Sequence, residues 1–287
     1  ILDRNILVPI LDLVQSGTLK DKYKLKLIAS ILFWCDINGV TLTSGLALME
    51  HSHVQGNDIE AADQHNLFQS IYKQYSPQDW LDLAIGKKSS IPKLKHILKE
   101  ESNYLISNEH HMLNYLGVLK LCQLHFNVDL SIAGKMAEFH RWSYENTLIG
   151  MYSTFYATMF FSSRTKLSDQ IQDVLPDQLY EKCKNVAWDL TYLSFWSTLY
   201  WNDRNADEVF LLATRDKEIK QLFKLVHSDP KKVYQNALGQ LEGERVKKDL
   251  ESIYKQRPKR IFEEEDLKSK IVTEENTLKN LIQENAI

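Results

Sequence analysis

Glycine and proline are scarce in this 287-residue chain, at ten and six residues. These two residues supply the backbone conformations that tight turns need. Their scarcity argues against a fold of many short strands and for long helices. Cysteine is scarcer still. Cys35, Cys122 and Cys183 are odd in number, far apart and set in apolar stretches. That argues against a secreted disulfide framework and a structural zinc site, and they read as reduced core thiols in a cytoplasmic protein. Long apolar runs are missing too. The most apolar stretch, LIGMYSTFYATMFFS at Leu148–Ser162, is short and contains serine, threonine and tyrosine, so it reads as a buried helix and not a membrane span. No charge of one sign dominates. A net charge of -3 and a pI near 6.3 argue against a highly basic nucleic-acid-binding chain, yet leave room for a local basic groove. HExxH, CxxC, Walker A, GxGxxG and GxSxG patterns are all absent from the sequence. This leaves nothing to support a zinc protease, a common nucleotide-binding machine or a serine hydrolase of the nucleophile-elbow class.

What is present is ordinary globular composition, 44% hydrophobic and 25% charged, in a length that suits one large domain or two smaller ones. The first segment reads as a short extended piece, Ile1-Leu2, which delivers Asp3. A turn at Asn5 and Pro9 then leads into a helix that Gly17 ends. Lys20–Asn38 has apolar residues at helical spacing, Leu25, Ile28, Ile31 and Leu32. Val40–Leu42 reads as a short strand, and Thr43 or Ser44 as the cap of a helix GLALMEHS carrying Glu50. From Asn57 to about Asp173 the text is almost wholly helical. It includes a helix opened by Ser76-Pro77, one from Ile91 through Ile106, and a long segment from about Asp129 to Ser162. Pro176–Tyr200 is helical, Val209–Ala213 (VFLLA) reads as a buried strand, and Lys217–His227 as a helix, with another after Asp229-Pro230. The charged tail Gln256–Ile287 is helix-prone, with Leu267, Ile271, Leu278 and Leu281 as apolar positions.

Four acids stand at or near element ends: Asp3, Glu50, Asp189 and Asp216. In an open α/β sheet, ligands bind beyond the carboxyl ends of the strands. Asp3 and Asp216 each follow a candidate strand, so one crevice can receive both. Carboxylates gathered in this way repel one another and raise one another's pKa. A hard divalent cation, Mg²⁺ or Mn²⁺, relieves that repulsion, and one or two such ions activate a water and stabilise a phosphodiester in transit. Other roles compete. Asp3 and Asp216 suit helix N-caps, Asp58 and Glu60 rival Glu50, and Asp189 lies among aromatic residues where a structural hydrogen bond is natural.

DRNIL at Asp3–Leu7 resembles the opening motif of PIN-domain nucleases, and LLATRDKEI at Leu211–Ile219 resembles their last motif. Glu50 and Asp189 fall where that family has its second and third acids. The resemblance covers residues 1–57 and 176–225, with 58–175 as a large helical insertion and 226–287 as a charged helical extension. It implies a parallel sheet flanked by helices. It also implies a Mg²⁺- or Mn²⁺-dependent endonuclease directed at single-stranded RNA rather than DNA, with Asp3, Glu50, Asp189 and Asp216 as ligands. Asn5 and Thr214 would be supporting polar groups, and Arg215 and Lys217 substrate contacts. Family habit adds a toxin or antiviral-defence role. The other reading is a helical interaction scaffold with a degenerate nuclease core. In either case the insertion or the C-terminal helix offers a surface for a protein partner or a second copy.

Smaller features have bland readings beside the sharp ones. Lys87-Lys88 with Lys93, Lys95 and Lys99 form either a solvated face or a face for RNA. Trp188, Tyr192, Phe195, Trp196, Tyr200 and Trp201 read as core before they read as a base-stacking platform. His110-His111, His51 and His53 read as surface or interface residues.

Overall fold

The computed structural model describes residues 1–95, 99–171, 175–202, 208–228, 232–254 and 262–285. For Tyr72, Asn202, Ser228, Ala237, Tyr254 and Asn285 the backbone alone is described. The Asp229-Pro230 pair lies outside the described residues, as does all but the two ends of the polar stretch NDRNADE, 202–208, which reads as a turn in the sequence. The chain divides into two compact units, Ile1–Ile106 with Asp203–Asp216, and Ser107–Asn202 with Lys217–Ile287. These boundaries differ from those drawn on the sequence. Residues 58–106 go with the first unit, and the helix from Pro176 goes with the second.

The first unit holds α1 (Arg4–Ser16), α2 (Lys22–Ile37), α3 (Gly45–Gln55), α4 (Ile59–Gln74) and α5 (Pro77–Ala84). Asp3 caps α1 with its side chain, so the helix starts at Arg4 and runs through Pro9 to a left-handed Gly17 at φ 81°. The expected turn at Asn5 and Pro9 is therefore helical. α1 buries Ile6, Leu7, Ile10, Leu11, Leu13 and Val14, because α2, α3 and α4 all pack on it. Burial of each such side chain contributes about 1.5–3 kcal/mol. α2 pairs with α5, whose start is fixed by Ser76 and Asp79: the Ser76 amide and hydroxyl both donate to Asp79 Oδ2, at 3.1 and 2.9 Å.

Residues 91–95 and 99–106, expected as helix, are not helical. They form a strap that runs back along α4. Tyr75 Oη donates to Pro92 O (2.8 Å), Lys95 N to Gln74 Oε1 (2.8 Å), Glu100 N to Asn66 Oδ1 (2.8 Å) and Tyr104 N to Asp58 Oδ1 (3.0 Å). Main-chain groups that a helix would pair internally are satisfied here by side chains of a neighbouring helix.

The second unit holds α6 (Glu109–Phe126), α7 (Ile132–Asn146), α8 (Met151–Phe161), α9 (Lys166–Gln170), α10 (Pro176–Asn202), α11 (Lys217–Ser228), α12 (Val233–Leu238), α13 (Gln240–Tyr254) and α14 (Glu264–Asn285). The long helical segment from about Asp129 to Ser162 divides at Thr147–Gly150 into α7 and α8, and α8 is the buried helix expected within Leu148–Ser162. α6 is buried from Asn114 to Leu124 except at Lys120, since α7, α8, α10 and α14 surround it. Trp188, Tyr192 and Trp196 of α10 are buried, which is the core reading of that aromatic set, while Tyr200 and Trp201 are about half-exposed. Of the charged tail, Glu264–Asn285 forms an amphipathic helix, α14, which packs on α6.

The expected parallel sheet is absent among the described residues. A single parallel bridge joins Leu2 to Ala213. Asp3 N donates to Ala213 O (3.0 Å), Ala213 N to Ile1 O (2.9 Å), and Leu2 N to Thr43 O (2.9 Å). The pairing stops there because Asp3 turns the chain into α1. Nor is VFLLA a buried strand: Val209 is 83% and Leu211 47% exposed. Five apolar residues in a row do not by themselves fix a strand, which also needs paired neighbours and covered faces. Val40–Leu42 is likewise irregular. The PIN-like α/β class is therefore overturned in favour of a helix-dominated fold.

Candidate functional site

Asp3 is the most buried acid on the sequence's shortlist, at 4% exposure. Its extended backbone (φ -75°, ψ 154°) sets its carboxylate over the first turn of α1. Oδ1 accepts from Asn5 N at 3.3 Å and Oδ2 from Asn5 Nδ2 at 2.5 Å. Thr214, 211 residues away in sequence, donates its hydroxyl to the same Oδ2. Thr214 Oγ1 in turn accepts from Asp216 N at 3.0 Å and from Asn5 Nδ2 at 3.3 Å. Asn5 Oδ1 accepts from Arg215 N at 2.7 Å. Asn5 thus clips the Thr214–Arg215 turn to the head of α1, and the Leu2–Ala213 bridge holds both pieces in register.

The electrostatics follow from this packing. Burial raises the Asp3 carboxyl above its ordinary value, and the neighbouring Asp216 charge adds to that. The Thr214 and Asn5 hydrogen bonds act in the opposite direction. A buried carboxylate beside a second acid is the arrangement that a cation stabilises.

The structure gathers Asp3, Asn5, Thr214, Arg215 and Asp216 in one place in the first unit. Glu50 belongs to the same unit, half-buried on α3. Its neighbours and rivals have other tasks. His51 Nε2 lies 2.9 Å from Glu60 Oε2, while Asp58 Oδ1 accepts from Ser52 Oγ at 2.7 Å. Asp189 and Lys217 belong to the second unit. Asp189 sits on α10, where its charge reaches the buried Tyr156 phenol of α8, which burial first pushes up. Lys217 is exposed at the start of α11.

The sequence reading missed a polar group beside the site. Arg4 Nη1 donates to Gln64 Oε1 at 2.6 Å, and the Arg4 charge adds to burial in holding the His51 imidazole below its ordinary value, against the pull of Glu60. Nothing in the local text pairs residues 4, 51, 60 and 64. They meet only because α3 and α4 both pack against α1.

The donors on hand are carboxylate and hydroxyl oxygens, the preference of Mg²⁺ and Mn²⁺. Among the described residues no group of three or more His, Cys, Asp or Glu comes together to hold a metal. No helix among the described residues is long and apolar enough to cross a membrane. No protein-family model, curated protein or solved structure matches the chain.

Proposed function

We propose that the chain is a metal-dependent phosphodiester hydrolase acting on single-stranded RNA, centred on Asp3 and Asp216. The observation that supports this reading is the meeting of the first and last motifs of the PIN resemblance across more than two hundred residues, through Asn5 and Thr214. When bound, one Mg²⁺ or Mn²⁺ would supply Lewis acidity and polarise a water. The chain's own residues hold that arrangement. Asp3 and Asp216 offer charged oxygens, Thr214 and Asn5 fix the Asp3 carboxylate, and the exposed Arg215 side chain is available to a phosphate. The proposal does not include a PIN-type sheet. A toxin or defence role is a further step that rests on the resemblance alone.

The test is cleavage of labelled single-stranded RNA and DNA with Mn²⁺ or Mg²⁺, alongside thermal melting. The intact protein should cleave RNA and gain melting temperature with the metal, because an ion that binds the folded state stabilises it. Asp3→Asn and Asp216→Asn should lose both while remaining folded. Thr214→Val, which removes a positioning hydroxyl, should lower activity by about 10–100-fold. An intact protein that neither cleaves nor responds to metal would hand the lead to a helical interaction scaffold. That second reading is favoured by the fourteen helices and the absence of a strand among the described residues.

A further inference from the structure

At the other end of α1 from Asp3 lies an open groove of about 690 Å³. Its walls are the last turn of α1 (Asp12, Ser16), the loop to α2 (Lys20), the start of α2 (Asp21, Lys24) and the strap residue Lys93. The strap is stitched to this place. Ile91 N donates to Gly17 O (2.8 Å), Leu94 N to Val14 O (2.9 Å) and Thr18 Oγ1 to Ser89 O (2.7 Å). Three lysines from three separate segments therefore face one concavity.

Three lysines and two acids, Asp12 and Asp21, line the groove, and further lysines stand exposed around it. Of the two acids in the wall, Asp21 is engaged as the cap of α2, accepting from Tyr23 N (2.9 Å) and Lys24 N (3.0 Å). Lys22 and Lys26 stand exposed on the same turns of α2, and Lys95 on the strap. Among the described residues none of these lysines forms an ion pair. By contrast, Lys87 and Lys88 are paired with Asp82, at 3.6 and 3.0 Å, and Lys88 also lies 3.4 Å from Asp79. The lysines at 87–88 are thus neutralised, and Lys93 belongs instead to a cationic array with the start of α2. Tyr23 is not part of the groove's lining, but it is 72% exposed on the first turn of α2, next in sequence to the lining residue Lys24.

We propose that this groove binds single-stranded nucleic acid, with Lys20, Lys24 and Lys93 on backbone phosphates and Tyr23 stacked on a base. Unpaired cations along a channel beside an exposed aromatic are the usual means of holding single strands without reading sequence. A lipid surface fits less well, since the cations line a concavity. The groove lies one helix away from Asp3, about 20 Å at 1.5 Å per residue. It therefore offers a path for the substrate of the proposed nuclease, and it stands or falls without cleavage.

The experiment is fluorescence anisotropy of labelled oligouridine, oligothymidine and a short DNA duplex on the full chain in chelator, at about 50 and about 200 mM salt. The intact protein should bind both single strands. The K20A/K24A/K93A triple variant should weaken binding at least about tenfold and reduce the slope of log affinity against log salt by about 2. Tyr23→Ala should weaken single strands by about fivefold or more and leave the duplex unchanged. Lys279→Ala, exposed on α14 in the second unit, should change nothing. All replaced side chains lie at the surface, so unchanged melting confirms folding, and Lys93→Glu alone gives an independent perturbation with the same sign. The proposal is overturned if the intact protein binds no oligonucleotide at the lower salt. It is equally overturned if the triple variant binds as tightly as the parent, or if phosphatidylserine vesicles are bound and oligonucleotides are not. Binding without any metal-dependent cleavage would support the groove and sink the nuclease.

Discussion

The strap of the first unit and α14 of the second are both charged segments laid over a helical core, but they are attached in different ways. α14 pairs its own backbone and presents an apolar stripe. Leu267 enters a cluster with Leu116 and Trp142, flanked by Met112, Leu113 and Ile271. Polar contacts then fix its register: Tyr115 Oη donates to Glu275 Oε1 (2.6 Å), Tyr180 Oη to Glu275 O (2.7 Å) and Gln123 Nε2 to Glu274 O (3.0 Å). The strap has no such stripe. Its main chain is held by Asp58, Asn66, Gln74 and the end of α1. An apolar stripe lets a segment stay helical when it docks, whereas a segment without one takes the shape that its neighbours' polar groups dictate.

The largest effect should come from the apolar side of that comparison. Leu267→Ala should cost about 2–5 kcal/mol, read by denaturant unfolding. A loss below about 1 kcal/mol would mean that hydrogen bonds, not burial, hold α14. Acid should separate the two units next. Burial holds the His140 imidazole, enclosed on α7, at about 4, far below its ordinary 6.5. The unfolded chain therefore takes up a proton near pH 6.5 that the folded chain refuses until about 4. Stability is fully present above the higher value and falls as pH drops through this window, by about 3 kcal/mol once below both. His125 and His227, also lowered by burial, act in the same direction. In the first unit His51 does so too, but Asp3 opposes it, because a carboxyl raised in the folded state gains stability as pH falls. Hydrogen exchange at about pH 5 should show the second unit opening first, and His140→Phe should remove much of the difference.

Gly17→Ala tests the polar side. The added Cβ would meet Ile91 O at 2.5 Å, and φ is +81°. The strained backbone alone costs about 1–3 kcal/mol, and the overlap should detach the strap, seen as faster exchange at the Ile91 and Leu94 amides. Gly39→Ala, at φ +62° with nothing within 4 Å, should cost less and leave the strap closed. The smallest change is Tyr104→Phe, which removes one 2.7 Å bond to His65 Nδ1 and should cost about 1 kcal/mol or less.

Much of the helical text was legible. Ser76-Pro77 and Gly17 mark helix ends where caps and stops belong, and the apolar positions Leu25, Ile28 and Leu32 are buried as their spacing predicts. The strap misled because a residue's helix propensity is weak beside tertiary partners for its backbone. VFLLA misled because an apolar run has no period from which to tell strand from coil. In the candidate site, Asp3, Asn5, Thr214 and Asp216 stood out as a pair of short motifs. Arg4, His51, Glu60 and Gln64 did not, since the contacts among them depend on how helices cross.

The sequence by itself determined that helices dominate the chain and where several of them begin and end, as at Ser76-Pro77 and Gly17. Capping residues, apolar spacing and scarce glycine act locally, so they can be read locally. Only the tertiary structure decided that no sheet forms among the described residues, that 91–95 and 99–106 are a strap, and that Asp3 meets Thr214. Those outcomes depend on which backbone groups find partners far along the chain, and no local pattern encodes that choice.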